Sequence, residues 1–580
     1  MLFQEVFNGA ADQLGNGNIE LFREFLQPLK SRFSKKEMCA LHSRTVYKGF
    51  QNAKPTARAL CARLLPPRPS GRGFSGISLM KSHRLDPHPQ EIELKLALPT
   101  SDPQGLAKRL ARTPLLARRK ATQLQLHNIY FDTPEQRLHQ ERVALRLRRV
   151  GSDAKPTWLQ TLKMGGRSDS ALSQRGEWEV AVPGAELARQ ALDATPWSVM
   201  DPDGNVFAAL SPCFVTTFER TSWSVRKQGG SVVEVSLDIG QVVAGDKRTA
   251  LCELELELIA GQPAALFAVA QQIARTLAVL PLNSSKAERG YALLQDSLNL
   301  PQRAQPPALT AGMALPDATQ QVLREMFGQF TSNLNTLRNS DDPELVHQAR
   351  VGWRRFKSAL RLFKPALAVK AVPALQSLQA LLTFVGELRD LDVARTETLA
   401  PFADAYTAGN AQREEKWQAM LQALTDAAKL QRKSVRYALE APAVGSTLLA
   451  ITQWLEALPE QNGPGNAKAD LKMSLRRWAR RRIVRLHEQL KVALKDSANP
   501  ESQHRARILS KRLRYGIEAL RPLLPKRQTQ RWHPKATELQ TSIGATRDIL
   551  QAATLAAKLE ADPGLAEFLR GVAVGQAKPV

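Results

Sequence analysis

The sequence predicts an α+β multidomain protein: an N-terminal eight-stranded antiparallel β tunnel or barrel with flanking helices, then an all-α region of two duplicated helical bundles. Three observations predict it. Between about 90 and 260, polar and apolar residues alternate with a period near two, the mark of strands. Beyond about 317 the period is helical and strand signals are few. Within that helical half, one pattern of histidine and basic residues occurs twice at the same spacing.

The chain has 580 residues, too many for one core. Its hydrophobic content of 43% and charged content of 23% are those of an ordinary folded protein, but its net charge of +26 is not. The excess is uneven: about +7 in residues 1–79, about +3 in 80–300 and about +16 in 301–580. Such a field favours anionic partners. Cys39, Cys61, Cys213 and Cys252 form no CxxC pair, which argues against a zinc site or a disulfide framework and fits a reducing, cytoplasmic setting. No run of about 18 apolar residues appears, so no membrane partner is expected. The N-terminus lacks the apolar core of a signal peptide.

Residues 1–79 read as a basic, poorly ordered extension. "RLLPPRPSGRGFSGISLM" has the composition of a linker, and periodic structure begins only after Met80, which is the expected native start. The expected tunnel domain spans 88–297. A Pro-rich linker follows at 298–316 ("NLPQRAQPPALTAGMALP"), then a helical domain at 317–565 and a tail at 566–580.

In "EIELKLAL", Glu91, Glu93 and Lys95 share one face and Ile92, Leu94 and Leu96 the other. "VALRLRRV" sets Arg146 and Arg148 against Leu145 and Leu147, and "TWLQTLKM" puts Thr161 with Lys163. "RGEWEV" aligns Arg175, Glu177 and Glu179; "VVEVSLDIG" aligns Glu234, Ser236 and Asp238; "CELELELI" aligns Glu253, Glu255 and Glu257. One such strand is no more than a half-exposed antiparallel sheet requires. The set is different, because side chains two apart on a strand sit about 6.5–7 Å from each other. Rows of like charge at 253–257 and 146–148 repel unless opposite charges lie among them. Segregated acidic and basic strands suit a cavity that clamps metal ions and a polyanion. About eight strands enclose such a space, with helices at about 102–112, 184–194 and 262–280 available to cover the apolar outer faces. Two simpler readings stand beside this one: Glu257 at a solvent-facing barrel mouth, and Arg175 in a cross-strand ion pair with Glu177 or Glu179.

In the helical half, His347, Arg350, Arg354 and Lys357 match His504, Arg507, Lys511 and Arg514 at spacings of three, four and three. These offsets fall on one helical stripe; Arg361 lies further along the first. Gly386 precedes Arg389 and Asp390 in one copy, and Gly544 precedes Arg547 and Asp548 in the other. With "RRWARRRIVR" (Arg476, Arg477, Arg480, Arg481, Arg482, Arg485), a strongly positive groove is expected. Aromatic residues for base stacking are sparse on the stripes, which disfavours nucleic acid. No carboxylate is grouped with the histidines at helical spacing, which disfavours a metal site there.

These residues also carry a resemblance. "EIELK", "LRLR", "QTLK", "RGEWE", "FER", "EVSLDIG", "ELELEL" and "SSKAERGY" in order resemble the CYTH domain of the triphosphate tunnel metalloenzymes over about 90–295. "VHQARVGWRRF", "GELRDLDVA", "HRARILSKRLRY" and "GATRDILQA" resemble the CHAD domain over about 317–560. The pairing is similar to the bacterial CYTH–CHAD inorganic triphosphatases. The resemblance implies hydrolysis of tripolyphosphate to pyrophosphate and phosphate with Mg²⁺ or Mn²⁺. Glu91, Glu93, Asp238, Glu253, Glu255 and Glu257 would hold metal. Lys95, Arg146, Arg148, Lys163, Arg175, Arg220, Lys286 and Arg289 would grip phosphates. Lys95, Glu177, Glu234 and Asp238 would serve catalysis. It implies inorganic polyphosphate on His347, Arg350, Arg354, Lys357, Arg361, His504, Arg507, Lys511 and Arg514. Three alternatives stay open: an organic triphosphate substrate (thiamine triphosphate, a nucleoside triphosphate, or ATP for cyclisation), an inert tunnel on a polyphosphate-binding protein, and a nucleic-acid-binding protein.

Overall fold

In the computed structural model, which describes residues 90–99, 102–151, 156–167, 170–367, 372–458, 473–495, 500–559 and 562–576, the alternating stretches form a closed antiparallel barrel. The extension at 1–79 and Met80 lie outside the described residues. The strands are β1 Gln90–Ala97, β2 Thr122–Asp132, β3 Ala144–Val150, β4 Thr157–Arg167, β5 Leu172–Val182, β6 Ser211–Arg226, β7 Val232–Ala244 and β8 Lys247–Ala260. Their order is β5-β4-β3-β2-β6-β7-β8-β1, and pairing of β5 with β1 closes the ring. A two-residue strand, β9 (Leu280–Pro281), adds to β1 at Leu96 and Ala97.

Alternation decides which side chains enter the barrel. The outward leucines and valines of β1, β7 and β8 pack under α1 (Leu106–Ala111) and α2 (Ala264–Ala274) in one core that includes Leu94, Leu256, Phe267 and Ile273. Leu145 and Leu162 are covered by short segments carrying Leu192, Trp197 and Val206. The region expected as a helix at 184–194 holds only a single turn, Arg189–Leu192. Two strands, β2 and β6, lack clean alternation. Their inward faces mix apolar Leu126 and Phe218 with polar Asn128, Thr216 and Arg220, which blurs the period-two signal. Leu126, Phe218 and Leu251 pack together and fill one end of the interior.

After β9 comes α3 (Lys286–Leu294), started by a capping box in which Ser285 and Glu288 bind each other's backbone amides. Long helices follow: α4 Leu315–Thr336, α5 Pro343–Leu362, α6 Gln379–Val393, α7 Ala411–Leu439, α8 Pro442–Glu456, α9 Leu475–Lys495, α10 Pro500–Leu520, α11 Lys526–Lys558 and α12 Pro563–Gln576. Residues up to Gln576, expected as a tail, continue α12, whose Leu569 and Ala573 sit in the helical core. The repeat is visible in space: α5 packs on α6, α10 on α11, and α5 on α10.

The two halves share apolar contacts. Leu449 of α8 belongs to the barrel's outer core, while Ala97 and Leu280 of the barrel belong to the helical core. Gln271 of α2 donates to the Ser446 carbonyl (3.1 Å) and accepts from its hydroxyl (2.7 Å).

Candidate active site and anion groove

The barrel interior holds a cavity of about 260 Å³. Apart from Tyr130, Ala144, Ala287, Ser236 and Ser285, every lining side chain is charged: seven basic and six acidic. Removing a charge from water costs several kcal/mol unless it is paired, and the register supplies the pairs. Glu91 sits opposite Arg175 across β1 and β5. Lys163 Nζ donates to both Glu91 oxygens at 2.8 Å, and Arg175 reaches Glu91 (3.2 Å) and Glu93 (2.8 Å). Lys95 pairs with Glu93 on its own strand. Arg175 therefore bridges to β1 rather than pairing with Glu177 or Glu179, and Glu91 and Glu93 hold its guanidinium firmly charged against the opposing effect of burial. Lys163 also meets Glu177 at 3.1 Å, and Arg146 meets Glu177 at 3.6 Å. Burial opposes ionisation of Glu177, but these two cations outweigh it and hold its carboxyl below the usual range.

A second cluster lies around Lys286, at the first position of α3. Its ammonium contacts Asp238 (2.7 Å), Glu255 (2.8 Å) and Glu253. Arg220 grips Asp238 with two bonds (2.8 and 2.7 Å) and Glu255 with a third (2.6 Å); Arg289 binds Glu253 at 2.9 Å. Oxygens of Asp238, Glu253 and Glu255 all lie within 4.8 Å of one another. Despite burial, Lys286 and Arg220 hold the Glu255 carboxyl well below its ordinary range.

The six acids expected to hold metal thus fall into two groups. Glu91 and Glu93 lie with Glu257, which is in register with Glu93 and Glu234. Asp238, Glu253 and Glu255 surround Lys286. Glu257 faces the cavity and, alone among the acidic lining residues described, makes no ion pair; burial first, then Glu91 and Glu177, push its carboxyl up to about 7. Glu234 stands beside it, accepting from Ser236 at 3.2 Å.

Several site residues were not foreseen. Tyr130 lines the cavity opposite Arg146 and stacks on Phe214 at 4.6 Å. Asn128, fully buried, accepts from Arg148 Nε at 2.9 Å and donates to Thr216 Oγ1 at 3.0 Å. Burial, then Arg146 and Arg220, push the Arg148 guanidinium down to about 10. Both residues sit on β2, where "NIY" carries the i, i+2 spacing that would have marked them.

In the helical half, α5 packs on α10 and brings Arg354 of one stripe close enough to act on Lys511 of the other. Lys511 is pushed down to about 8, first by burial and then by Arg507, Arg354, Arg547 and Arg514. Burial and then Arg389 push His347 down. Arg350 lies under Gly386, where a Cβ would come within 2.7 Å of its guanidinium, so the glycine of the repeated motif makes room for the cation. Arg389, which pairs with Glu397 at 2.8 Å, and Arg547 lie close enough to Arg350 to act on its charge, although the stripe spacing alone does not include them. Lys357, Arg361 and His504 are exposed. Arg514 lies over the Tyr515 ring and 3.6 Å from Glu518. On α9, Arg476, Arg477, Arg480, Arg481 and Arg485 face outward, and Arg482 binds the Leu362 carbonyl at 2.9 Å.

Comparison with known proteins decides the families. Residues 89–291 match the CYTH domain model and residues 321–557 the CHAD domain model. The chain carries a CYTH domain followed by a CHAD domain. An inorganic triphosphatase from Haemophilus influenzae is 32% identical over 206 residues, 35% of this chain and 55% of that protein, so the chain spans about half the length of the curated relative it matches. Among solved structures, the CHAD domain of Ricinus communis is 29% identical, with a TM-score of 0.40 over 48% of this chain and 91% of that one. A Hippeastrum protein described as an adenylyl cyclase with dominant triphosphatase activity is 18% identical, with a TM-score of 0.25 over 35% of this chain and 95% of that one. The cavity belongs to the CYTH domain and the paired stripes to the CHAD domain. No described helix is long and apolar enough to cross a membrane.

Proposed function

We propose that the CYTH domain hydrolyses inorganic tripolyphosphate to pyrophosphate and phosphate with Mg²⁺ or Mn²⁺, and that the CHAD groove binds inorganic polyphosphate. The observation that carries the reading is the wall of the cavity. Thirteen of its eighteen lining residues are charged and, besides Tyr130 and two alanines, no described lining residue is apolar, so a base or thiazole ring would find little to rest on.

Charge balance supports metal dependence. Seven cations against six carboxylates leave little surplus for a polyanion. Admitting a triphosphate therefore requires added positive charge near the acids. Asp238, Glu253 and Glu255 offer clustered oxygen donors, and Glu257, which makes no ion pair among the described residues, faces the cavity with Glu91 and Glu93. Both sets fit a hard divalent ion. Such an ion would neutralise phosphate oxygens and lower the pKa of a bound water.

The chain's own residues supply the rest. Arg146, Arg148 and Arg220 present planar guanidinium forks for phosphate oxygens, while Lys95, Lys163 and Lys286 act as mobile point charges. As anion enters, these cations exchange carboxylate for phosphate. Catalysis then consists mainly of holding the chain in line and stabilising charge on the departing phosphoryl group. Glu177 on the cavity wall and Glu234, in register with Glu257, are the carboxylates assigned to orient the attacking water, and Asp238 holds Arg220 and Lys286 in place.

The test compares phosphate release from tripolyphosphate and from ATP, with Mg²⁺, with Mn²⁺ and with chelator. Metal-dependent turnover that favours tripolyphosphate is expected. A preference for ATP, or no turnover with either, overturns the reading.

A further inference from the structure

Resting on that reading, a second role follows for the CHAD domain. The segment between α2 and α3 is short, and it delivers Lys286 to the cavity. On one side it is tied to β1: Leu282 N–H donates to the Lys95 carbonyl at 3.0 Å, and Leu280 and Pro281 pair with Ala97 and Leu96. It also meets CHAD residues. Asn335, near the end of α4, donates to the Pro281 carbonyl at 2.8 Å. Gly445 of α8 lies so close to the Val279 carbonyl that a Cβ there would collide with it. Arg338, just past α4, donates to the Leu98 carbonyl at 2.7 Å, where β1 ends. One short stretch at the end of α4 and just past it therefore grips both the strand that carries Glu91, Glu93 and Lys95 and the segment that leads, five residues after Pro281, to Lys286.

We infer that Asn335 and Arg338 are positioning residues for the tunnel, setting Lys286 and Lys95 through the backbone of 280–282 and of Leu98. The CHAD domain then supports the CYTH site from behind its wall.

The experiment uses the full chain. Asn335→Leu keeps size and removes the donor. It should raise KM for tripolyphosphate about three- to tenfold, the loss expected for one buried hydrogen bond. Asn335→Ala serves if the leucine variant does not fold. Gln271→Leu, at the same interface but away from β9, should leave KM unchanged. In a Lys286→Met background, Asn335→Leu should add nothing further, whereas independent structural damage would add. Additive effects, or an equal KM rise in Gln271→Leu, overturn the inference. Backbone amide exchange at 279–286 should speed up in Asn335→Leu and not in Gln271→Leu. That readout needs no turnover, so it decides the inference even if tripolyphosphate is not the substrate; unchanged exchange overturns it.

Discussion

Glu257 and Glu93 are opposite one another in the barrel and differ in one respect: Glu93 pairs with Lys95 and Arg175, and Glu257 makes no ion pair among the described residues. Burial and the neighbouring carboxylates raise the Glu257 pKa in the folded state to about 7. Its folded form therefore holds the proton more tightly than the unfolded chain does. The stabilising contribution is complete below the ordinary carboxylate pKa and is lost as pH rises through about 7. Metal-free protein should lose thermal stability between pH 5 and 8 more steeply than a Glu257→Gln variant, as read by melting temperature, and Mg²⁺ should flatten the wild-type slope. Equal slopes would place Glu257 in contact with solvent. Glu93→Gln keeps the shape and removes the charge; it should cut metal-dependent turnover about a hundredfold or more while polyphosphate binding persists. The alternation in "EIELK" alone showed that Glu93 and Lys95 share a face. It did not show that Arg175, far along the chain, completes the set, because that depends on closure of β5 onto β1.

At the scale of elements, the paired stripes on α5 and α10 make a basic groove with a titratable member. Lys511 is charged below about 8. Polyphosphate affinity should thus fall between pH 7 and 9, and Lys511→Arg should remove that fall, measured by calorimetry at fixed salt. Reversing Arg354 and Lys511 to Glu should weaken binding most at low ionic strength, where screening is least, and leave tripolyphosphate turnover nearly unchanged. Unaltered binding would sink the groove as the polyphosphate site. The spacing of three, four and three was sufficient to place each stripe on one helical face. Arg389 and Arg547 entered only through the packing of α6 and α11, since residues on different helices share no period.

At the scale of the whole molecule, the barrel and the helices exchange core residues. Leu449 of the CHAD domain is fully buried among barrel side chains. Leu449→Ala should cost about 2–5 kcal/mol, and both domains should melt in one transition. Barrel fluorescence from Trp223 and helical circular dichroism would report it together. Separate transitions would show two independent folding units.

Side-chain direction within an element follows from backbone geometry, so the sequence by itself determined which residues of the cleanly alternating strands share the charged face and which stripes carry charge, though not those of β2 and β6. It also determined the antiparallel β class of the first half and the helical class of the second. Tertiary structure decided the partners. It set Lys286 among Asp238, Glu253 and Glu255, left Glu257 without an ion pair among the described residues, and lodged the Lys286 segment between β1 and α4. Those outcomes depend on strand register, ring closure and domain packing, which join residues far apart in the chain and leave no periodic trace along it.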